Sequence, residues 1–188
     1  MKKISLAVLF SLLSLMTFAQ SLKVIIKQDG KVIEPVNDVY DLKKSPFLFE
    51  ITSNNLEGFL IGATTNKDIY AGALGTFNSE AAWFQNTGMA EELYNKDKEL
   101  FLMDQAPSYW YYTDAKDHRF DKNPKGNSKQ WTATRTVTRF YDIMADQPVN
   151  LRDFNGSVYL LMYQPIYNNE YDLTGKKNLF QATLRFKD

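Results

Sequence analysis

The 188 residues carry 22 basic against 22 acidic side chains, one histidine and no cysteine. This composition excludes disulfides, thiol nucleophiles, thiolate metal sites and histidine-built zinc, copper or iron centres. Its charge balance presents no basic footprint for nucleic acid or an anionic lipid surface.

The chain opens with MKKISLAVLFSLLSLMTFAQ, which has the order of a secretory signal peptide: Lys2 and Lys3, an apolar run from Ile4 to Phe18, then small residues up to Ala19. The run is shorter than the roughly 20 residues of a spanning helix, and no cysteine follows it to carry a lipid. Cleavage after Ala19 would make Gln20 the first mature residue and remove two lysines, leaving 20 basic against 22 acidic side chains. The expectation is a periplasmic or secreted protein that meets the membrane only through its signal peptide during export. Residues 20–188 are long enough to bury one core without disulfides, so they are read as a single β-rich domain.

Beyond residue 21 the dominant period is two. LKVIIKQ (22–28) alternates Leu22, Val24 and Ile26 against Lys23, Ile25 and Lys27, then meets Asp29-Gly30, a two-residue hairpin signal, before KVIEP. PFLFEITS (46–53) places Phe47, Phe49 and Ile51 on one face, and EGFLIGATT (57–65) reads as its hairpin partner. SEAAWFQNTGMAEELYN (79–95) predicts one or two short helices, with Ser79 as cap and Gly88 as stop. KELFLMD (98–104) and SYWYYTD (108–114) read as strands, and the polar stretch 114–130 as a loop.

WTATRTVTRFY (131–141) sets Thr132, Thr134, Thr136 and Thr138 on one face and Arg135 and Arg139 on the other. VNLRDF and SVYLLMYQPIY flank Asn155-Gly156, a second hairpin signal. The final segment (178–188) turns Phe180, Ala182, Leu184 and Phe186 inward and Gln181, Thr183 and Arg185 outward. Many short strands joined by Gly, Asn and Asp turns predict an all-β fold, an antiparallel β-sandwich, with a small β-barrel as the alternative. An outer-membrane barrel requires ~10-residue strands with a continuous apolar outer face. The Thr ladder and Arg135 in the longest candidate do not supply one.

Catalytic patterns are sparse. His118 lies among charges in KDHRF with no Gly-x-Ser-x-Gly elbow to accompany it. GALGTF lacks the Lys-Ser/Thr of a phosphate loop. DKNPKGN begins like a calcium loop at Asp121 and Asn123, but Lys125 stands at a ligand position and Thr132 where the bidentate Glu belongs. Asp114, Asp117 and Asp121 could form only a looser cation site. A hydrolase built on paired carboxylates stays an alternative, although nothing marks one pair among the 22 acids. No cofactor is expected.

The aromatic run Tyr109, Trp110, Tyr111 and Tyr112 supports two readings. Alternate side chains stand roughly 6.6 Å apart along a strand, so two rings could lie under neighbouring sugar units with polar edges at hand. The simpler reading buries one face in the core and the other beneath a loop. Arg135 and Arg139 fall in the same parity as Trp131, Val137 and Tyr141, a composition suited to a protein-binding surface if exposed. The candidate binding residues are therefore Tyr109, Trp110, Tyr111, Tyr112, Trp131, Arg135, Arg139 and Tyr141. Taken together, the sequence predicts an exported, non-catalytic domain that engages another macromolecule. A protein is the first choice, in an inhibitor or immunity-type role, and a glycan is the second.

Overall fold

The computed structural model describes residues 20–56, 59–85, 100–102, 108–112, 121–122, 130–142, 145 and 147–188. The predicted signal peptide, His118, Asp114, Asp117 and the second half of the expected helical segment lie outside the described residues.

The fold is all-β and sandwich-like, with sheets that do not close into a barrel, so the barrel alternative gives way to the sandwich. The first sheet has the order β2-β1-β4-β9-β8, from Lys31–Val32, Ser21–Gln28, Phe47–Asn54, Gln130–Val137 and Asp121–Lys122. The second has the order β3-β13-β12-β5-β7, from Val39–Lys43, Leu173–Lys187, Gly156–Tyr167, Phe59–Thr64 and Ser108–Tyr112. A third, β11-β10-β6, joins Gln147–Asn150, Arg139–Asp142 and Leu100–Leu102. All pairings are antiparallel except β13 with β3 and β10 with β6, which run parallel.

Local chemistry explains the strands that were read correctly. In β4 the buried positions Phe47, Phe49, Ile51 and Ser53 alternate strictly with half-buried ones. Burial of one face fixes such a register, because a one-residue slip would turn every apolar side chain outward. β1 turns into β2 through Asp29 (φ 52°) and Gly30 (φ 74°), the doubly positive pair of a type I′ turn. A second such turn, Asn37 (φ 51°) and Asp38 (φ 60°), leads from Val36 into β3.

Two expected hairpins do not form. β5 does not pair with β4, whose two edges are already taken by β1 and β9; it crosses to the second sheet and pairs with β12 and β7. Asn55 turns the chain with φ 54°, and Leu56, 2% exposed, anchors the crossing in the core. Nor does Asn155-Gly156 join paired strands. Leu151–Asp153 forms a 3-10 turn that buries Leu151, and the Phe154 ring packs 5.0 Å from Phe140 and 5.5 Å from Phe186. That burial pulls the segment inward, so β11 pairs with β10 while β12 forms its hairpin with β13.

β12 is the spine. Val158, Leu160 and Met162 face the core between the first two sheets, where they join Ile26, Phe49 and Leu184. Leu161 and Tyr163 belong to a separate cluster with Tyr70, Ala73, Trp83 and Phe84. Those residues come from α1 (Lys67–Leu74) and α2 (Ala82–Gln85), which cover the second sheet's outer face.

The α2 helix falls within the expected helical segment, although Asn78, whose Oδ1 accepts from the Glu80 N–H, starts the turn in place of Ser79. The α1 helix was not anticipated. Its signal was present: Asn66 Oδ1 accepts from the N–H groups of Asp68 (3.0 Å) and Ile69 (3.2 Å), a regular N-cap. At its other end, Lys176 and Asn178 of β13 donate to the Gly75 and Leu74 carbonyls, satisfying acceptors that a helix terminus leaves open.

Candidate interaction surface

The structure distributes the eight sequence-predicted binding residues over three sheets. β7 takes an end position in the second sheet, with Tyr112 opposite Phe59, Tyr111 opposite Leu60, Trp110 opposite Ile61 and Tyr109 opposite Gly62. Trp131 lies on β9 opposite Ser53. Arg135, opposite Phe49, is only 2% exposed, so it neither snorkels outward nor offers a contact surface. Arg139 and Tyr141 belong to β10, half-buried, opposite Asn150 and Pro148. The face expected to join Trp131, Arg135, Val137, Arg139 and Tyr141 is broken at Thr138, where β9 ends. Val137 and Phe140 are the buried positions on either side of that break.

A different group of residues gathers at the surface. Of the large apolar side chains that stand exposed, Ile166 (50%), Tyr167 (52%) and Tyr171 (87%) all belong to the tip of the β12–β13 hairpin. β12 and β13 pair as far as Tyr167 opposite Leu173, with register shifts after Met162 and Ile166, so the tip lies at the end of the longest ladder among the described strands.

Hydrogen bonds fix the tip. Asn168 Oδ1 accepts from the Glu170 N–H at 2.9 Å and the Asp172 N–H at 2.8 Å, and Asn168 Nδ2 donates to Asp172 Oδ2 at 3.1 Å. The backbone adds Asn168 N–H to the Asp172 carbonyl (3.0 Å) and Tyr171 N–H to the Asn168 carbonyl (3.2 Å). Such side-chain to backbone bonds are the way Asn organises a turn.

Tyr171 holds φ at 66°. The other non-glycine residues with positive φ among the described residues are Asp29, Asn37, Asp38 and Asn55, types that tolerate this region. A bulky residue there costs about 1–2 kcal/mol. A turn that needed only to reverse the chain would favour Gly or Asn at this position. Here strain and exposure fall on one aromatic ring. The tip's charges, Glu170 and Asp172, form no ion pair with any described residue.

Two ionisable groups elsewhere among the described residues, Asp41 and Tyr70, are tied into the packing of the fold. Hydrogen bonds from Arg185 and Lys187 hold the Asp41 carboxyl far below the ordinary carboxylate range. Burial, with Asp38 nearby, keeps the Tyr70 hydroxyl protonated well above the usual tyrosine value. Among the described residues no group of three or more His, Asp or Glu side chains could hold a metal ion.

The sequence reading missed the tip because it ended one strand at residue 167 and began the next at 178. Its available signal was Tyr167 and Tyr171 bracketing Asn168-Asn169. Fold and tip define a β-sandwich-like scaffold carrying a projecting, rigid aromatic hairpin. Comparison with family models, with curated proteins and with solved structures found no match.

Proposed function

We propose that this chain is an exported, non-catalytic binding domain whose β12–β13 tip engages another protein, in the periplasm or outside the cell. The observation that carries this reading is Tyr171: 87% exposed, at φ 66°, within a hydrogen-bonded turn beside Ile166 and Tyr167. Exposed tyrosines on a rigid loop supply large amphipathic contact area with little side-chain entropy to lose on binding. A preordered loop also loses less freedom on association than a flexible one. Export is supported by the charged, apolar and small-residue order of residues 2–19.

The test is affinity capture with the purified protein as bait against extract and medium from its source cells, beside a panel of insoluble polysaccharides. One protein retained at near-equal stoichiometry by the wild type and lost with Tyr171→Ala is the expected result. Retention on a glycan alone, lost with Trp110→Ala and kept with Tyr171→Ala, would replace this reading with a carbohydrate-binding one. Retention of nothing in either arm would overturn it.

A further inference from the structure

We propose that a notch in the edge of the second sheet receives an arginine side chain from an extended segment of another protein, at a site separate from the β12–β13 tip. β3 ends at Val39, opposite Thr183, while β13 reaches back to Leu173, so beyond Val39 no described strand covers this edge of β13. In the step lies a hollow of about 300 Å³, lined by Asp38, Asn178, Leu179, Phe180 and Gln181.

A bulge shapes its base. Met162 pairs with Phe180 and Tyr163 with Asn178, which leaves Leu179 as an extra residue in β13. Neighbouring strand residues ordinarily face opposite ways. Here Leu179 and Phe180 both pack, half-buried, against the core between the sheets, as a bulge allows. They give the hollow an apolar floor.

Its open polar groups are acceptors. Asp38 closes the end nearest β3: its carbonyl accepts from the Thr183 N–H at 2.8 Å, and its Oδ2 accepts from Gln181 Nε2 at 2.8 Å. Asp38 Oδ1 and Gln181 Oε1 accept from no described residue. Asn178 is occupied, since its Nδ2 donates to the Leu74 carbonyl and its Oδ1 accepts from Lys176 Nζ. Asp38 is the one charged residue among those described in the lining, and it forms no ion pair with any described residue. The Lys176 ammonium is turned toward α1, where the Gly75 carbonyl takes it. Burial first, then the Asp38 and Glu34 carboxylates, push the Tyr40 hydroxyl above its ordinary value, so both acids act on this end of β3.

An apolar floor that leads to an unpaired carboxylate and a free amide oxygen suits a guanidinium. Its planar fork carries only donors, and its stem can lie on Leu179 and Phe180 while the head meets Asp38 and Gln181. A lysine brings a compact, strongly hydrated charge without that fork. Val36, 72% exposed in the turn that carries Asp38, offers an apolar contact to the chain that bears the arginine.

The probe is N-acetyl-arginine N-methylamide, titrated against the isotope-labelled protein by two-dimensional NMR, with the citrulline analogue as its neutral isostere. Concentrations up to about 50 mM cover the dissociation constant of about 1–10 mM expected for a single exposed contact. The arginine compound should shift the Gln181 side-chain amide and the Asp38 and Thr183 backbone amides, more weakly at high salt, and the citrulline compound should leave them in place. Asp38→Asn removes the charge yet keeps a residue that tolerates φ near 60°. It should fold as the wild type does and bind about tenfold more weakly. Gln181→Ala, at an exposed position, should weaken binding several-fold. Tyr171→Ala should leave it unchanged, so this site and the tip stand or fall separately. Equal shifts from the arginine and citrulline compounds, binding undiminished by Asp38→Asn, or no shift at Asp38 and Gln181 at the highest concentration would overturn the inference.

Discussion

The Gln28 carboxamide grips the backbone of Lys43 from both sides of one residue: its Nε2 donates to the Lys43 carbonyl at 3.0 Å and its Oε1 accepts from the Lys43 N–H at 2.8 Å. The side chain thus takes the place of a neighbouring strand along the outer edge of β3. At the other end of that edge, Val36 and Val39 exchange backbone hydrogen bonds at 2.9 and 3.0 Å. An exposed strand edge invites pairing with other chains, and these two devices occupy most of this one.

Gln28 is only 5% exposed and also donates to the Ser45 carbonyl at 2.9 Å. Its replacement by alanine leaves buried donors and acceptors unpaired, with an expected cost of about 2–4 kcal/mol. Gln28→Glu keeps the acceptor but aims a carboxylate at the Lys43 and Ser45 carbonyls. It should therefore destabilise more at neutral pH than in acid, where the protonated form can again donate. Urea unfolding of both variants at neutral and acidic pH measures the difference, and equal losses for Gln28→Glu at both pH values would contradict the clamp.

Asp41 gives a pH signature of opposite sign. Arg185 reaches both of its oxygens, at 2.6 and 2.9 Å, and Lys187 adds a contact at 2.6 Å. The folded pKa is depressed below the unfolded value, so the contribution is complete above about pH 5 and is lost progressively as the pH falls through the unfolded value toward the folded one. Wild type should be more stable than Asp41→Asn at pH 7, with the gap narrowing at pH 2 to 3. Because these side chains are exposed, salt should shrink the gap as well. A gap that widens in acid would show that the pair does not stabilise the fold.

Leu160 and Leu161 are neighbours in β12 and point into different clusters, one between the sheets and one beneath the helices. Truncation of either to alanine should cost about 2–5 kcal/mol, since both are fully buried. The consequences should differ in place. Leu161→Ala should raise hydrogen exchange in α1 and α2 while the β1–β4 ladder stays protected, whereas Leu160→Ala should loosen both sheets. Identical exchange patterns would mean that the helical layer has no local stability of its own.

These contrasts mark what could be read in advance. The strand pattern of β1, β4 and β13 was legible because each has a polar face beside a buried one, which leaves period two in the sequence. Pairing was not legible: Phe47, Phe49 and Ile51 carry the same pattern as Phe59, Ile61 and Ala63, whether the two strands are neighbours or face each other across a core. The Asn155-Gly156 signal gave way to burial of Leu151 and Phe154, which no turn preference records. The α1 helix had a visible cap at Asn66, yet its short Ile69–Leu74 pattern was surrounded by strands of clearer period. Arg135 stood in an apparently amphipathic strand, and only its burial, with Val137 buried two residues on, shows that this position belongs to the core.

The tip was the least legible, since a positive φ on a tyrosine leaves no mark in composition or period. That conformation also yields the sharpest test of whether Tyr171 serves folding or binding. Glycine adopts φ near 66° without Cβ strain, at the expense of a more disordered unfolded chain. Relief of strain should outweigh that loss, and the 87% exposed ring contributes almost no burial. Tyr171→Gly should therefore stabilise the protein by about 1 kcal/mol, or raise Tm by about 2–4 °C for a chain of this size. Tyr171→Ala, which keeps the Cβ, should leave Tm nearly unchanged. Both should lose the captured partner, because both lose the ring. A gain in stability coupled to a loss of binding would identify a residue retained for contact against the preference of the fold. A fall of several degrees with glycine would instead make Tyr171 a structural element of the hairpin, and would remove the main support for the tip as a binding surface.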